Sequence, residues 1–211
     1  MFDISSIQAH MQTLHQSYNM LQGGGWQKLE HHANAVFRIE NDWLYILGTD
    51  DERDWEQNFE GLYTRAVSVC GGRAHSGFSD HADMVVAGLC ERHIDPARLH
   101  GVVGHSLGGA AAQVIGARFG LPTLTFGSPR VWSRWGKPTG AKEGYHHHRA
   151  LHRSDVVVGL PPRIRWKHHH HARTKLGRHW LCGLLWRFFT RKPFLYHHYP
   201  AEYSKLLAEK G

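Results

Sequence analysis

The chain has 211 residues, 41% of them hydrophobic and 20% charged, which suffices for a buried core in one domain and excludes a disordered or fibrous chain. No apolar run reaches the ~18 residues of a membrane span, and the first residues show neither the basic start nor the apolar stretch of a secretory signal. Charge is lopsided: residues 1–130 carry a net −5 and residues 131–211 a net +12, within a total of +7. Such asymmetry marks either an acidic partner, nucleic acid or an anionic membrane surface, or a solvated basic face. Cys70, Cys90 and Cys182 are odd in number and lack metal-site spacing. They suit a reducing compartment, so a cytoplasmic location is expected.

In chain order, Ile4, Ile7, Met11, Leu14, Tyr18 and Leu21 have helical spacing, closed by Gly23 to Gly25. Residues 33–40 and 43–47 predict a hairpin around Asn41-Asp42. Residues 50–60 are acidic and turn-like, and 79–93 predict a helix with Ala82, Val85, Val86 and Leu89 on one side. A short apolar strand over 99–103 runs into Gly104-His105-Ser106-Leu107-Gly108, followed by an Ala-rich helix from Leu107 to Phe119 that Gly120 and Pro122 stop. Residues 124–126 and 145–153 predict further strands. Strand–helix–strand alternation implies an α/β domain with a mostly parallel central sheet flanked by helices, expected to span 1–211 as a single unit. The stretch 161–192 is basic, His-rich and without a clear period, and is expected to be an insertion or loop region. Its run His168 to His171 reads as a solvated loop rather than a metal site, because four adjacent side chains point several ways.

Gly104-x-Ser106-x-Gly108 has the spacing of a nucleophile elbow, a serine on a tight turn between strand and helix. The helix that follows would add positive potential and unpaired N–H groups beside the hydroxyl. A serine needs a histidine to take its proton and a carboxylate to orient that histidine, in the chain order Ser, acid, His. After Ser106 only Glu143 and Asp155 precede a histidine. Glu143 lies in a turn-like surface stretch, whereas Asp155 follows a predicted strand, which selects Asp155. The base should precede the last helix, which starts near Pro200 and buries Tyr203, Leu206 and Leu207. That leaves His197 or His198.

Several blocks in order resemble the class 3 lipase family, the group of the fungal triacylglycerol lipases within the α/β-hydrolase fold. They are Leu47-Gly48-Thr49-Asp50 with Asp54-Trp55, His75-Ser76-Gly77-Phe78, Gly104 to Gly109, Thr125 to Arg130, Arg153-Ser154-Asp155-Val156 leading to Leu160-Pro161-Pro162, and His197-His198 with Tyr203. The resemblance implies Ser106 as nucleophile and Asp155 as triad acid. It implies His198 as base, because the family places a tyrosine five positions beyond its histidine and Tyr203 stands there. It also implies Thr49, with the N–H of Leu107, as the oxyanion hole. Two departures stand out. Ile46-Leu47 occupies the place of the family's aromatic-Arg pair, and the short charged segment 50–60 stands where interfacial lipases carry an amphipathic lid. The apolar stretch 181–189 could face the acyl chain or a membrane instead; as a rival reading it belongs to the core.

The sequence therefore predicts a serine carboxylic-ester hydrolase, lipase or esterase, acting through an acyl-enzyme on a small-molecule or lipid ester, with no cofactor and no metal. A phospholipase-type acyl hydrolase at anionic membranes is the first alternative. A non-catalytic hydrolase-like module binding acidic partners is the second, with nucleic acid disfavoured because no recognised motif is present.

Overall fold

The computed structural model describes residues 2–23, 29–48, 66–161, 163–177 and 198–210. Helix α1 (Ile4–Gln22) begins where the Asp3 carboxylate accepts the Ser6 N–H at 2.7 Å, and it buries Ile7, Met11, Leu14, Tyr18 and Leu21 along one stripe. Strands β1 (Glu30–His32), β2 (Ala35–Glu40) and β3 (Trp43–Ile46) form an antiparallel meander. Its β2–β3 turn is Asn41-Asp42, both with positive φ, as a two-residue hairpin requires. A second hairpin, β4 (Ala66–Val69) and β5 (Gly72–His75), leads into α2 (Ser76–Glu91). Strand β6 (Gly101–His105) is buried throughout and feeds α3 (Ser106–Phe119) without a linker; Gly120 ends that helix in the left-handed conformation. Then come β7 (Pro122–Phe126), β8 (Trp132–Ser133), β9 (His146–His152), β10 (Trp166–Lys167), β11 (Ala172–Leu176) and α4 (Pro200–Ala208).

The main sheet runs β1-β2-β3-β6-β7-β9-β11 and is parallel from β3 onward, while β10-β8-β5-β4 form a smaller sheet. Strand alternation divides the core. Leu44, Ile46 and Val102 face the cluster built with α2 and α3, whereas Tyr45, Leu47 and Val103 join α1 and α4 on the other face. The expected α/β layering is thus present, with three differences of detail. Helix α2 starts three residues before the expected 79, directly after His75, where Gly77 had weakened the helical signal. Strand β6 lies two residues later than expected, because Gly104 and His105 continue the parallel ladder against Thr125 and Phe126.

The third difference concerns the unassigned basic stretch, which supplies β10 and the edge strand β11. The histidine run is the expected irregular loop, half-buried over His168 to His170 and exposed at His171, but it is tied to its neighbours by hydrogen bonds. His168 is half-buried and its Nε2–H donates to the Val158 carbonyl at 2.8 Å. The His169 carbonyl accepts from His147 Nδ1 at 2.7 Å, and His171 Nδ1 accepts the His147 N–H at 2.9 Å. The run is a strap along β9, held because β9 has unpaired backbone groups ahead of its register with β11.

Candidate active site

Ser106 stands at the junction of β6 and α3 with φ +57°. The left-handed region costs a residue with a Cβ ~1–2 kcal/mol, so the turn is strained and must be imposed by its surroundings. Two glycines allow that packing. A Cβ on Gly104 would lie 2.5 Å from the Gly108 carbonyl carbon, and one on Gly108 would lie 2.5 Å from the Leu47 oxygen. The first turn of α3 is therefore pressed between its own strand and the end of β3. Ser106 is buried, and its Oγ has no hydrogen-bond partner among the described residues. The adjacent Leu107 sits at the helix N-terminus, where the first N–H groups lack intrahelical acceptors.

Asp155 follows β9 and is buried with three donors around its carboxylate. His198 Nδ1–H donates to Oδ2 at 2.8 Å, Tyr203 Oη–H donates to the same oxygen at 2.7 Å, and the Val157 N–H donates to Oδ1 at 2.9 Å. A carboxylate accepting on Nδ1 holds His198 in the tautomer whose Nε2 is an acceptor, as a base beside a serine requires. Burial, then the facing Asp155 carboxylate, pushes the Tyr203 hydroxyl well above its ordinary range, so it remains a donor. Gly127, with φ +56°, closes the site from the end of β7: a Cβ there would lie 2.9 Å from both Asp155 Oδ2 and His198 Cε1.

His105 supports this pair from behind. Its ring lies against that of His198, with centroids 4.6 Å apart. Its Nε2 is 2.7 Å from the His198 carbonyl, which can only accept, so the proton is on Nε2. Nδ1 then accepts from Tyr18 Oη at 2.9 Å, and Tyr18 in turn accepts the Gly48 N–H at 2.6 Å. Burial, reinforced by the neighbouring His198, holds His105 well below its ordinary pKa and hence neutral. One chain of bonds thus runs from the residue before Thr49, through α1, to the loop that carries His198.

Of the residues singled out in the sequence, Ser106, Leu107, Asp155 and His198 gather at one end of the parallel strands, whereas Glu143 is exposed on a turn against Gly120, at the far end of α3. Thr49, His197, His179 and the segments 50–60 and 181–189 lie outside the described residues. Sequence reasoning missed Tyr18 and His105. Tyr18 looked like one more member of a helical stripe, and only its pairing across 87 positions reveals the polar use. Among the described residues no group of three or more His, Cys, Asp or Glu is arranged to hold a metal ion.

Comparison with known proteins agrees with the fold. The solved lipase of Rhizomucor miehei, in complex with its propeptide, superposes with a TM-score of 0.60 at 22% identity, covering 82% of this chain and 68% of that one. The lipase from Rhizopus microsporus var. chinensis gives 0.60 at 20% identity, over 80% and 73% of the two chains. Both show a shared fold. Secreted mono- and diacylglycerol lipase 1 of Fusarium solani is 31% identical over 127 residues, or 56% of this chain, which spans only 38% of that relative's length. Residues 43–164, reaching from β3 past Asp155, match the family described as Lipase (class 3). The chain belongs to the class 3 lipase family.

Proposed function

We propose that the protein is a serine hydrolase that cleaves carboxylic esters of acyl lipids or smaller acyl esters through an acyl-enzyme. Ser106 Oγ attacks the ester carbonyl carbon as His198 Nε2 takes its proton. The tetrahedral oxyanion is held by the Leu107 N–H and by Thr49, and His198 then returns the proton to the departing alcohol. A water molecule, deprotonated by the same nitrogen, attacks the acyl-serine carbonyl; the acyl–Oγ bond then breaks, His198 passes its proton to Ser106 Oγ, and the acid leaves. Asp155 orients His198 and stabilises its charged form throughout. Each oxyanion donor is worth on the order of 3 kcal/mol of transition-state stabilisation. This chemistry uses neither metal nor cofactor.

The observation that carries the reading is the buried His198–Asp155 pair at 2.8 Å, at the same end of the sheet as a serine held in strained backbone. A non-catalytic module that binds acidic partners has no use for that strain, which disfavours it. The Fusarium solani relative, named for mono- and diacylglycerols, supports a glyceride-type ester. The net +12 of residues 131–211 favours anionic phospholipids as a second substrate class. A cytoplasmic location stays an expectation of the sequence, and a secreted relative gives it no support; among the described residues no helix is long and apolar enough to cross a membrane.

A chain-length series of nitrophenyl esters tests the proposal. Wild-type protein should turn them over, and Ser106→Ala should remain folded while losing on the order of 10⁴-fold or more in kcat. A folded Ser106→Ala that keeps its activity overturns the nucleophile assignment.

A further inference from the structure

We propose that the tip formed by the ends of β8 and β10 is a docking surface for an anionic lipid layer. The proposal rests on the hydrolase reading, and names the surface from which a lipid ester would be drawn. Strands β8 and β10 pair antiparallel, Ser133 with Trp166, and the Arg134 N–H donates to the Arg165 carbonyl at 2.9 Å just beyond them. Beyond that bond both chains turn: Trp135 lies in the tight turn closed by the Gly136 N–H on the Ser133 carbonyl, and Ile164 in the turn that precedes β10. They are 82% and 80% exposed, the two most exposed large hydrophobic side chains among the described residues. Adjacent to them, Arg134, Arg163, Ile164 and Lys167 line an open cleft of about 450 Å³. None of its three cations pairs with a described carboxylate. Between 131 and 177 the only acids are Asp155, buried in the site, and Glu143, at the far end of α3.

An aromatic and an aliphatic side chain in open water beside unpaired cations match the layered chemistry of a bilayer. The apolar pair enters the acyl boundary while the cations meet phosphate, each adding ~1 kcal/mol at an acidic surface. A nucleic acid would satisfy the charges and leave Trp135 and Ile164 in water, and a free phosphate would use neither. The location also fits. The tip is carried by segments 127–135 and 153–167, which leave the same ends of β7 and β9 that hold Gly127 and Asp155. Arg130 ties the two together, its N–H on the Leu160 carbonyl and its guanidinium on the Gly159 and Pro161 carbonyls. The tip is thus built on the chain that leaves the sheet end where Ser106, Asp155 and His198 gather.

Co-sedimentation with vesicles of phosphatidylcholine, with and without phosphatidylglycerol, reads binding apart from catalysis. Wild-type protein should partition onto the mixed vesicles at least about tenfold more than onto phosphatidylcholine alone. The triple variant Arg134→Glu/Arg163→Glu/Lys167→Glu should lose that gain, and Trp135→Ser/Ile164→Ser should weaken binding severalfold. Both should hydrolyse a soluble nitrophenyl ester with unchanged kcat and KM, which also shows that they fold. Partition of the triple variant equal to wild type overturns the proposal. So does tighter binding to duplex DNA that Trp135→Ser/Ile164→Ser leaves untouched, and so does displacement by inorganic phosphate alone. Wild-type protein that sediments but cleaves no ester refutes the hydrolase reading instead.

Discussion

Two buried histidines in this molecule, His198 and His147, differ in their partners. His147, on β9, donates from Nδ1 to the His169 carbonyl at 2.7 Å and accepts at Nε2 from Thr125 Oγ1 at 2.8 Å. Both nitrogens are saturated by neutral groups, and burial pushes its pKa down to about 3. His198 has a carboxylate on Nδ1, so a proton arriving at Nε2 meets a stabilising charge. Burial alone makes a histidine inert. A carboxylate on Nδ1 is what suits His198 to the base role proposed for it.

The largest expected effect follows directly. His198→Ala should lower kcat nearly as far as Ser106→Ala, on the order of 10⁴-fold or more, and the double variant should be scarcely worse, because triad members act as a unit. His147→Ala should do the reverse, keeping kcat while losing ~2–4 kcal/mol of stability from a cavity and the unpaired Thr125 hydroxyl. Ester kinetics beside urea unfolding reads both. A dead His147→Ala at a temperature where it is folded would erase the distinction.

Acid should expose the structural histidines next. His147, His81 and His168 are lowered, chiefly by burial, to about 3, about 4 and about 2. Their unfolded pKa is ~6.5. Below that value the unfolded chain takes up protons that the folded one refuses. The stability they contribute is therefore complete above pH 6.5 and is lost as pH falls toward 4, by up to ~1.4 kcal/mol per pH unit for each group. Unfolding free energies measured from pH 7 to 4.5 should show this slope. His81→Leu, which removes a ring whose Nε2 has no partner among the described residues, should flatten it by one proton. An unchanged slope in that variant would contradict the assignment.

Much of the frame was legible in the sequence, and the reasons are local. The elbow announces itself because glycines at 104 and 108 are steric necessities, and β6 because Val102-Val103 directly precede that turn in a strand buried on both faces. Asp155 was legible from its place after a strand. In the sequence only the family's tyrosine spacing separates His198 from His197; in the structure Tyr203 bonds Asp155. The histidine strap was not legible, since its order comes from β9 rather than from its own period. Nor was the Tyr18–His105 link, which joins residues that share no local pattern.

An intermediate effect belongs to Tyr203, whose hydroxyl donates to Asp155 and accepts the His152 N–H at 3.0 Å. Tyr203→Phe leaves a buried carboxylate one donor short and a buried N–H unpaired. It should cost ~1–3 kcal/mol of stability and about tenfold in kcat. Equal stability by urea unfolding would show that water replaces the hydroxyl.

The smallest effect separates positioning from chemistry. Tyr18 touches no reacting atom in the proposed mechanism. It accepts the Gly48 N–H, next to Thr49, and donates to His105, which holds the His198 carbonyl. Tyr18→Phe keeps the ring that packs in the α1 face of the core and removes only the hydroxyl, so folding should change by ~1 kcal/mol. Losing it releases the backbone at both ends of the chain of bonds, and a displaced oxyanion donor or base costs rate in the transition state rather than affinity in the ground state. We expect kcat to fall ~3–10-fold with KM nearly unchanged. His105 stays neutral in either protein, so the pH–rate profile should keep its shape. A Tyr18→Phe protein that loses stability but no kcat would assign the hydroxyl to the core alone. A profile that moved along the pH axis would instead make His105 a partner in the proton transfer.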